Sequence, residues 1–313
     1  EVKMGSPNLG GLATPFICPR LLCYNNCMAK IGIIGAGELG RALGAMLQGT
    51  SNQVCYWDKD ELQLANLASV SLAELMEQSD YVFYCLPAPA LREALSFSAG
   101  YWRSGQVAVL FSKGLDPQTG KLAHELGAKM LPRNTNLILI SGAMIAEELN
   151  SSHLGFALVA SSKKQGLDQV KEIFVGTKLW LESVESIDAL AWAGVLKNIY
   201  ALGLGDLVGR GGMKNEQGFY FARAFNEINF LIKKITGENN FILKSELLAD
   251  FWATAGSQDS ANYKFGLLLG QGANPRHFCE ANSSALALKE RLGDYLPQAP
   301  ILAEILQSLD NLN

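Results

Sequence analysis

Lys30-Ile31-Gly32-Ile33-Ile34-Gly35-Ala36-Gly37-Glu38-Leu39-Gly40-Arg41-Ala42-Leu43 is the stretch from which the rest of the chain is read. A short apolar run opens it and reads as a buried parallel strand. Gly35, Gly37 and Gly40 then fill the G-x-G-x-x-G pattern. The first glycine allows a tight turn, the second lets the backbone approach a pyrophosphate, and the third lets a helix pack near the strand. The following helix, over 38–48, directs free N–H groups and its positive dipole end at the phosphates. Gly35, Gly37, Glu38, Leu39 and Gly40 are therefore expected at a dinucleotide. The next apolar run, Val54-Cys55-Tyr56-Trp57, ends in Asp58, 23 residues after Gly35. A carboxylate there accepts from ribose hydroxyls and repels a 2′-phosphate, which favours NAD over NADP.

The chain has 313 residues, enough for two domains and a large core. Hydrophobic residues make up 49% and charged residues 18%, ordinary for a globular enzyme. With a net charge of −4 and no Lys/Arg cluster, nucleic acid and anionic membrane surfaces are not expected partners. No apolar run long enough for a bilayer lacks a charge or breaker, so no membrane insertion is expected. Six cysteines are present. Cys55 and Cys85 lie in apolar strand-like runs and read as core. Cys23 and Cys27 lack the second pair that a zinc site needs, so no metal is expected. With no disulfide framework, a reducing, cytoplasmic setting is the default.

Residues 1–27 mix Gly, Pro, Asn and Cys without a period and read as a leader or extension; an organellar setting follows if they are a targeting piece. From Met28 strands and helices alternate, arguing for a parallel sheet covered on both faces. Strands are expected at 30–35, 53–57, 81–86, 106–111, 136–140, 156–160 and 178–182. Helices are expected at 38–48, 71–78, 89–97, 120–129, 143–149 and 164–174. Pro87-Ala88-Pro89, Ser112-Lys113-Gly114 and Ser141-Gly142-Ala143 follow strands and should line one crevice at their carboxyl ends. Beyond Glu182 the signal is helical, at 187–207, 215–236, 242–256, 260–270 and 283–310. The fold class is thus α/β: a Rossmann-type doubly wound, mostly parallel sheet over 28–184, then an all-α domain over 185–313.

Ala189 to Leu202 is apolar round most of a helix, and Lys197 is its only charge. A buried ammonium is costly unless paired, and no acid lies at i±3 or i±4. Lys197 is either functional or a lysine snorkelling to the surface. Asp250 is the lone charge in Leu247 to Thr254; it either orients Lys197 or caps a helix. Lys113, at a strand end, is either a second cation in the crevice or a solvated loop lysine. His124, His153 and His277 have no partner pattern and read as structural or surface residues.

Together these segments resemble the NAD(P)-dependent glycerol-3-phosphate dehydrogenase family, from Met28 almost to the C-terminus. The glycine motif, Lys113-Gly114, the loop Gly142-Ala143-Met144-Ile145-Ala146-Glu147-Glu148, Leu196-Lys197-Asn198, Asn215, Phe265-Gly266 and Gln271-Gly272 carry the resemblance. It implies that Lys197 hydrogen-bonds the substrate carbonyl and acts as general acid, with Asp250 and Lys113 as its catalytic companions. It implies cofactor contacts at Pro87, Ala146 and Glu280, and substrate contacts at Lys113, Gly142, Asn198, Thr254 and Asn262. It also implies a small-molecule substrate and a homodimer. The family's phosphate-binding Ser-Arg-Asn falls on Ser260-Ala261-Asn262, counted without gaps from Asp250. Arginine offers phosphate a bidentate fork and alanine offers nothing. Lys264, three residues on, offers a point charge without that geometry.

Three functions stay open on the sequence: NAD-linked interconversion of glycerol 3-phosphate and dihydroxyacetone phosphate, the same chemistry on an unphosphorylated hydroxy compound, or a dinucleotide-binding protein without turnover.

Overall fold

The computed structural model describes residues 28–312 apart from 152, 164 and 165. The leader expected at 1–27, with Cys18, Cys23 and Cys27, lies outside the described residues. Among the described residues seven strands, β1 Lys30–Ile34, β2 Gln53–Trp57, β3 Tyr81–Tyr84, β4 Val107–Leu110, β5 Asn136–Ala143, β6 Gly155–Ser161 and β7 Leu179–Ser183, form one sheet ordered β2-β1-β3-β4-β5-β6-β7. Helices α1 Glu38–Gln48, α2 Leu72–Gln78, α3 Ala88–Ala99, α4 Ala123–Met130, α5 Ala146–Asn150 and α6 Leu167–Ile173 alternate with the strands. Strand residues such as Ile33, Val82, Phe83, Val109 and Ile138 are completely buried, because helices cover both faces.

The sheet departs from all-parallel at one place. β6 runs antiparallel to β5, and β7 then runs parallel to β6. Only residues 144–154 separate β5 from β6, and they hold the five-residue α5. A parallel crossover needs about a dozen residues or more, so the chain doubles back instead. β5 also continues to Ala143, three residues past its expected end, and this delays α5 to Ala146.

After β7 every regular element among the described residues is helical: α7 Ile187–Gly209, α8 Lys214–Thr236, α9 Ser245–Gly256, α10 Ala261–Gly270, α11 Glu280–Leu292 and α12 Pro300–Asp310. The single helix expected at 283–310 is two. A 3₁₀ segment, Gly293–Gln298, divides them, and Pro297 within it has no N–H to carry a helix onward. α7 is the axle of this half, buried without a break from Ala189 to Gly205. It is long and apolar enough to cross a membrane, but 89% of its apolar stretch lies inside the protein, so that apolarity serves the core.

α7 and α10 approach closely through glycine. A Cβ on Gly266 would run into the Leu202 carbonyl, and one on Gly205 into the Tyr263 carbonyl. Backbone lies against backbone there, with no flexible side chain to yield. Gly266→Ala should therefore lose at least about 1–3 kcal/mol of stability, read as a lower urea midpoint with an unchanged slope. An unchanged midpoint would mean that the two helices are not packed this tightly.

Candidate active site

The glycine turn leaves β1 with Gly35 at φ 101°, a conformation that side chains resist. Its N–H donates to the Trp57 carbonyl at 3.0 Å. A Cβ on Gly40 would overlap the Gly35 carbonyl, which explains the third glycine. Gly37 caps α1, and a Cβ there would meet nothing within 4 Å. The helix N-terminus is thus open where a pyrophosphate would lie, with exposed Glu38 and half-buried Leu39 in its first turn.

Asp58 stands at the end of β2 as expected, with a further task. Its Oδ2 accepts the Ala36 N–H at 2.7 Å, and its Oδ1 accepts that of Asp60 at 2.9 Å. It therefore braces the glycine turn as well as presenting negative charge. Beside it lies a cleft of about 270 Å³ whose walls include Trp57, Leu86, Ala90 and Phe97. Its apolar walls and its carboxylate rim match an adenosine, so these residues fit a dinucleotide. Trp57 adjoins Asp58 in sequence, but Phe97 comes from the far end of α3 and gave no sequence signal.

The loops at the strand ends converge as expected. The Ser112 hydroxyl donates to the Leu86 carbonyl at 2.6 Å, and Lys113 Nζ donates to the Gly142 carbonyl at 2.6 Å. Ala88, after exposed Pro87, sits where a Cβ on Gly114 would press on it. The stem of Lys113 passes over Gly194 of α7, where a Cβ would stand 3.6 Å from it.

Lys197 lies one turn further along α7 and is only 5% exposed. Its Nζ donates to Asp250 Oδ1 at 2.7 Å and to Thr254 Oγ1 at 2.5 Å. Asp250 and Thr254 share a face of α9, being four residues apart. Lys113 Nζ lies 3.4 and 3.3 Å from the two Asp250 oxygens. One carboxylate, 3% exposed, thus serves two ammonium groups. The snorkelling and helix-cap readings are set aside by these contacts. Burial drives the Lys197 ammonium down from 10.5 to about 8; Asp250 opposes the shift and the Lys113 charge reinforces it. Burial alone would raise Asp250, but the two lysines outweigh it and hold the carboxyl below its ordinary value.

Asn198, next on α7, donates from Nδ2 to the Lys113 carbonyl at 3.2 Å and to Glu280 Oε2 at 3.0 Å. Glu280 opens α11; burial raises its carboxyl, with both lysines and the backbone of Lys113 and Ala88 pulling the other way. Asn262 is buried, and its side-chain carbonyl accepts the Ala281 N–H at 3.0 Å, so it ties α10 to the start of α11. Ala146 packs in the apolar cluster that includes α1 residues. Ala261 is exposed at the first position of α10. Asn215 lies elsewhere, in a groove of about 500 Å³ with Phe219, Tyr220 and Arg223. His124 pairs with Asp188 at 2.9 Å, and His153 is exposed. No group of three or more His, Cys, Asp or Glu side chains could hold a metal among the described residues.

The sequence profile of the NAD-dependent glycerol-3-phosphate dehydrogenase C-terminus matches residues 187–310, and that of its N-terminus matches 65–167. The chain belongs to the NAD-dependent glycerol-3-phosphate dehydrogenase family. It is 25% identical over 311 residues to a glycerol-3-phosphate dehydrogenase (NAD(P)+) of Clostridium acetobutylicum, covering 89% of this chain and 93% of the relative. A namesake from Brucella melitensis is 25% identical over 303 residues, covering 90% and 93%. The crystal structure of glycerol-3-phosphate dehydrogenase from Coxiella burnetii superposes with a TM-score of 0.81 at 20% identity, covering 91% of this chain and 98% of that one. The profile of the C-terminal half begins at the first residue of α7. This glycerol-3-phosphate dehydrogenase family member is an NAD-dependent oxidoreductase of the CH–OH class.

Because Asp58 sets a carboxylate at the rim of the cleft beside the glycine turn, NAD should bind at least tenfold more tightly than NADP, about 1.4 kcal/mol. Titration of protein fluorescence with each cofactor measures this, and equal or tighter NADP binding would contradict it.

Proposed function

We propose that this dehydrogenase interconverts sn-glycerol 3-phosphate and dihydroxyacetone phosphate, with Lys197 as its general acid and base. The observation that carries the reading is the Lys197–Asp250 contact at 2.7 Å beside the converging strand-end loops. Residues 28–184 serve as the cofactor half and 185–313 as the substrate half. Gly35, Gly37, Glu38, Leu39, Gly40 and Asp58 hold NAD, with Pro87, Ala146 and Glu280 along its path. NAD supplies the two-electron acceptor when bound.

In the oxidative direction the neutral Lys197 amine accepts the proton of the substrate hydroxyl. In the reductive direction its ammonium polarises the carbonyl and returns that proton. Asp250 and Thr254 fix the position of Nζ, and the adjoining burial and Lys113 charge bring its titration near neutrality, where both forms are available. Lys113, Gly142, Asn198, Thr254 and Asn262 border the substrate. A second reading, an unphosphorylated hydroxy substrate, is favoured by the bare methyl of Ala261. Comparing turnover of glycerol 3-phosphate with that of glycerol decides between the two. We further assign a cytoplasmic homodimer; Phe219, 70% exposed beside the second groove, supports a subunit contact. Sedimentation analysis tests it.

Lys197→Ala should leave NAD affinity nearly unchanged and remove turnover by about 10²–10⁴-fold. In the parent protein, reduction needs the ammonium, so its rate should fall as pH rises through about 8. Oxidation needs the free amine and should rise through the same value. Retained activity in the variant, or pH profiles that turn at the ordinary lysine value of 10.5, would remove Lys197 from this role.

A further inference from the structure

A phosphate dianion needs cations, and the catalytic cluster has none to spare. Lys113 and Lys197 are matched there by Asp250 and Glu280, two ammonium groups against two carboxyls. Position 261 is alanine. Lys264, the nearest cation in sequence, stands 3.8 Å from Asp259.

Contacts lead outward from the cluster to one other source. Asn198 holds Glu280, whose neighbour Ala281 is held by Asn262. Asn262 adjoins Ala261, and His277 Nε2 lies 3.3 Å from the Ala261 carbonyl. The imidazole rests edge-on against Phe265, with ring centroids 5.4 Å apart and an interplanar angle of 64°. Phe265 is itself buried, so the ring is seated on a rigid wall. Arg276 precedes it, exposed and without an ion-pair partner among the described residues. The short connection 271–279 between α10 and α11 therefore sets the His277 imidazole beside the alanine and carries Arg276 next to it in sequence.

We propose that the turn Pro275–Phe278 supplies this chain's phosphate grip, with Arg276 and His277 binding the substrate phosphate beside Ala261. The turn comes from a different element than α10, so charge at the rim is provided from across position 261 instead of at it. The guanidinium offers a bidentate fork and the imidazole a single N–H donor. Both residues are exposed, so a phosphate held there keeps part of its hydration and the grip is weaker than a buried arginine would give. This rests on the reading of the substrate as glycerol 3-phosphate.

The test is steady-state kinetics of the full-length protein with glycerol 3-phosphate and with glycerol, for the parent, Arg276→Ala/His277→Ala, and the same double variant carrying Ala261→Arg. The double variant should raise KM for glycerol 3-phosphate at least about tenfold, the order of one charge-assisted hydrogen bond, with the loss in KM and not kcat. Its kcat/KM for glycerol and its NAD affinity should stay with the parent, and Ala261→Arg should restore KM for glycerol 3-phosphate. An unchanged KM in the double variant, or failure of Ala261→Arg to restore it, overturns the proposal while leaving the reaction standing. If the double variant melts early, Arg276→Ala alone, at an exposed position, gives the same readout. A parent protein that oxidises no glycerol 3-phosphate overturns the underlying reading.

Discussion

A buried and a half-buried ammonium group share one buried carboxylate, and the rest of the site is arranged to make that tolerable. Taking charges out of water costs several kcal/mol each unless partners replace the solvent. Here Asp250 meets Lys197 at 2.7 Å and Lys113 at 3.3 Å, while Thr254 and the Gly142 carbonyl take further ammonium protons. The replacement is incomplete: burial lowers Lys197 to about 8, with Asp250 and Glu280 opposing the shift and the Lys113 charge adding to it. A fully neutralised lysine would stay charged and hold its proton; this one can exchange it at physiological pH.

The same contacts bind the two halves of the molecule. Lys113 follows β4 and Gly142 belongs to β5, whereas Lys197 comes from α7 and Asp250 from α9. Around them Asn198 reaches the Lys113 carbonyl, and the Leu115 N–H donates to Ser284 Oγ of α11 at 3.0 Å. Farther out, Arg291 pairs with Glu125 at 2.7 Å and lies over the Trp192 ring, next to the His124–Asp188 pair. The position of Lys197 therefore depends on how the helical half seats on the sheet. The close α7–α10 contact at Gly266 fixes the axis from which Lys197 projects.

Much of this was legible along the chain where local patterns settle the outcome. The β1 glycine turn, Asp58 and the seven strands follow from apolar runs and glycine spacing. Lys197 and Asp250 stood out because each is a lone charge in an apolar helix. What escaped depends on partners distant in sequence. The reversal of β6 turns on the length of one connection, and Phe97 reaches the cleft only through the packing of α3. The pairing of Lys197 with Asp250, across 53 residues, was one of two readings the sequence left open, and only the packing of α9 against α7 decides it. His277 read as a structural or surface histidine because its neighbours Ala261 and Phe265 lie on α10, more than ten residues away. Pro297, by contrast, was a local signal inside the expected 283–310 helix, and it does divide that helix.

The central claim is that Asp250 and burial jointly set the proton affinity of Lys197. A ¹⁵N NMR titration of the Lys197 Nζ, in the parent protein and in Asp250→Asn, measures that quantity without relying on turnover. The account predicts a midpoint at about 8 in the parent. It predicts a lower one in the variant, since loss of the carboxylate leaves burial and the Lys113 charge opposed only by Glu280. A parent midpoint near the ordinary lysine value, or a variant midpoint at or above the parent's, would contradict it.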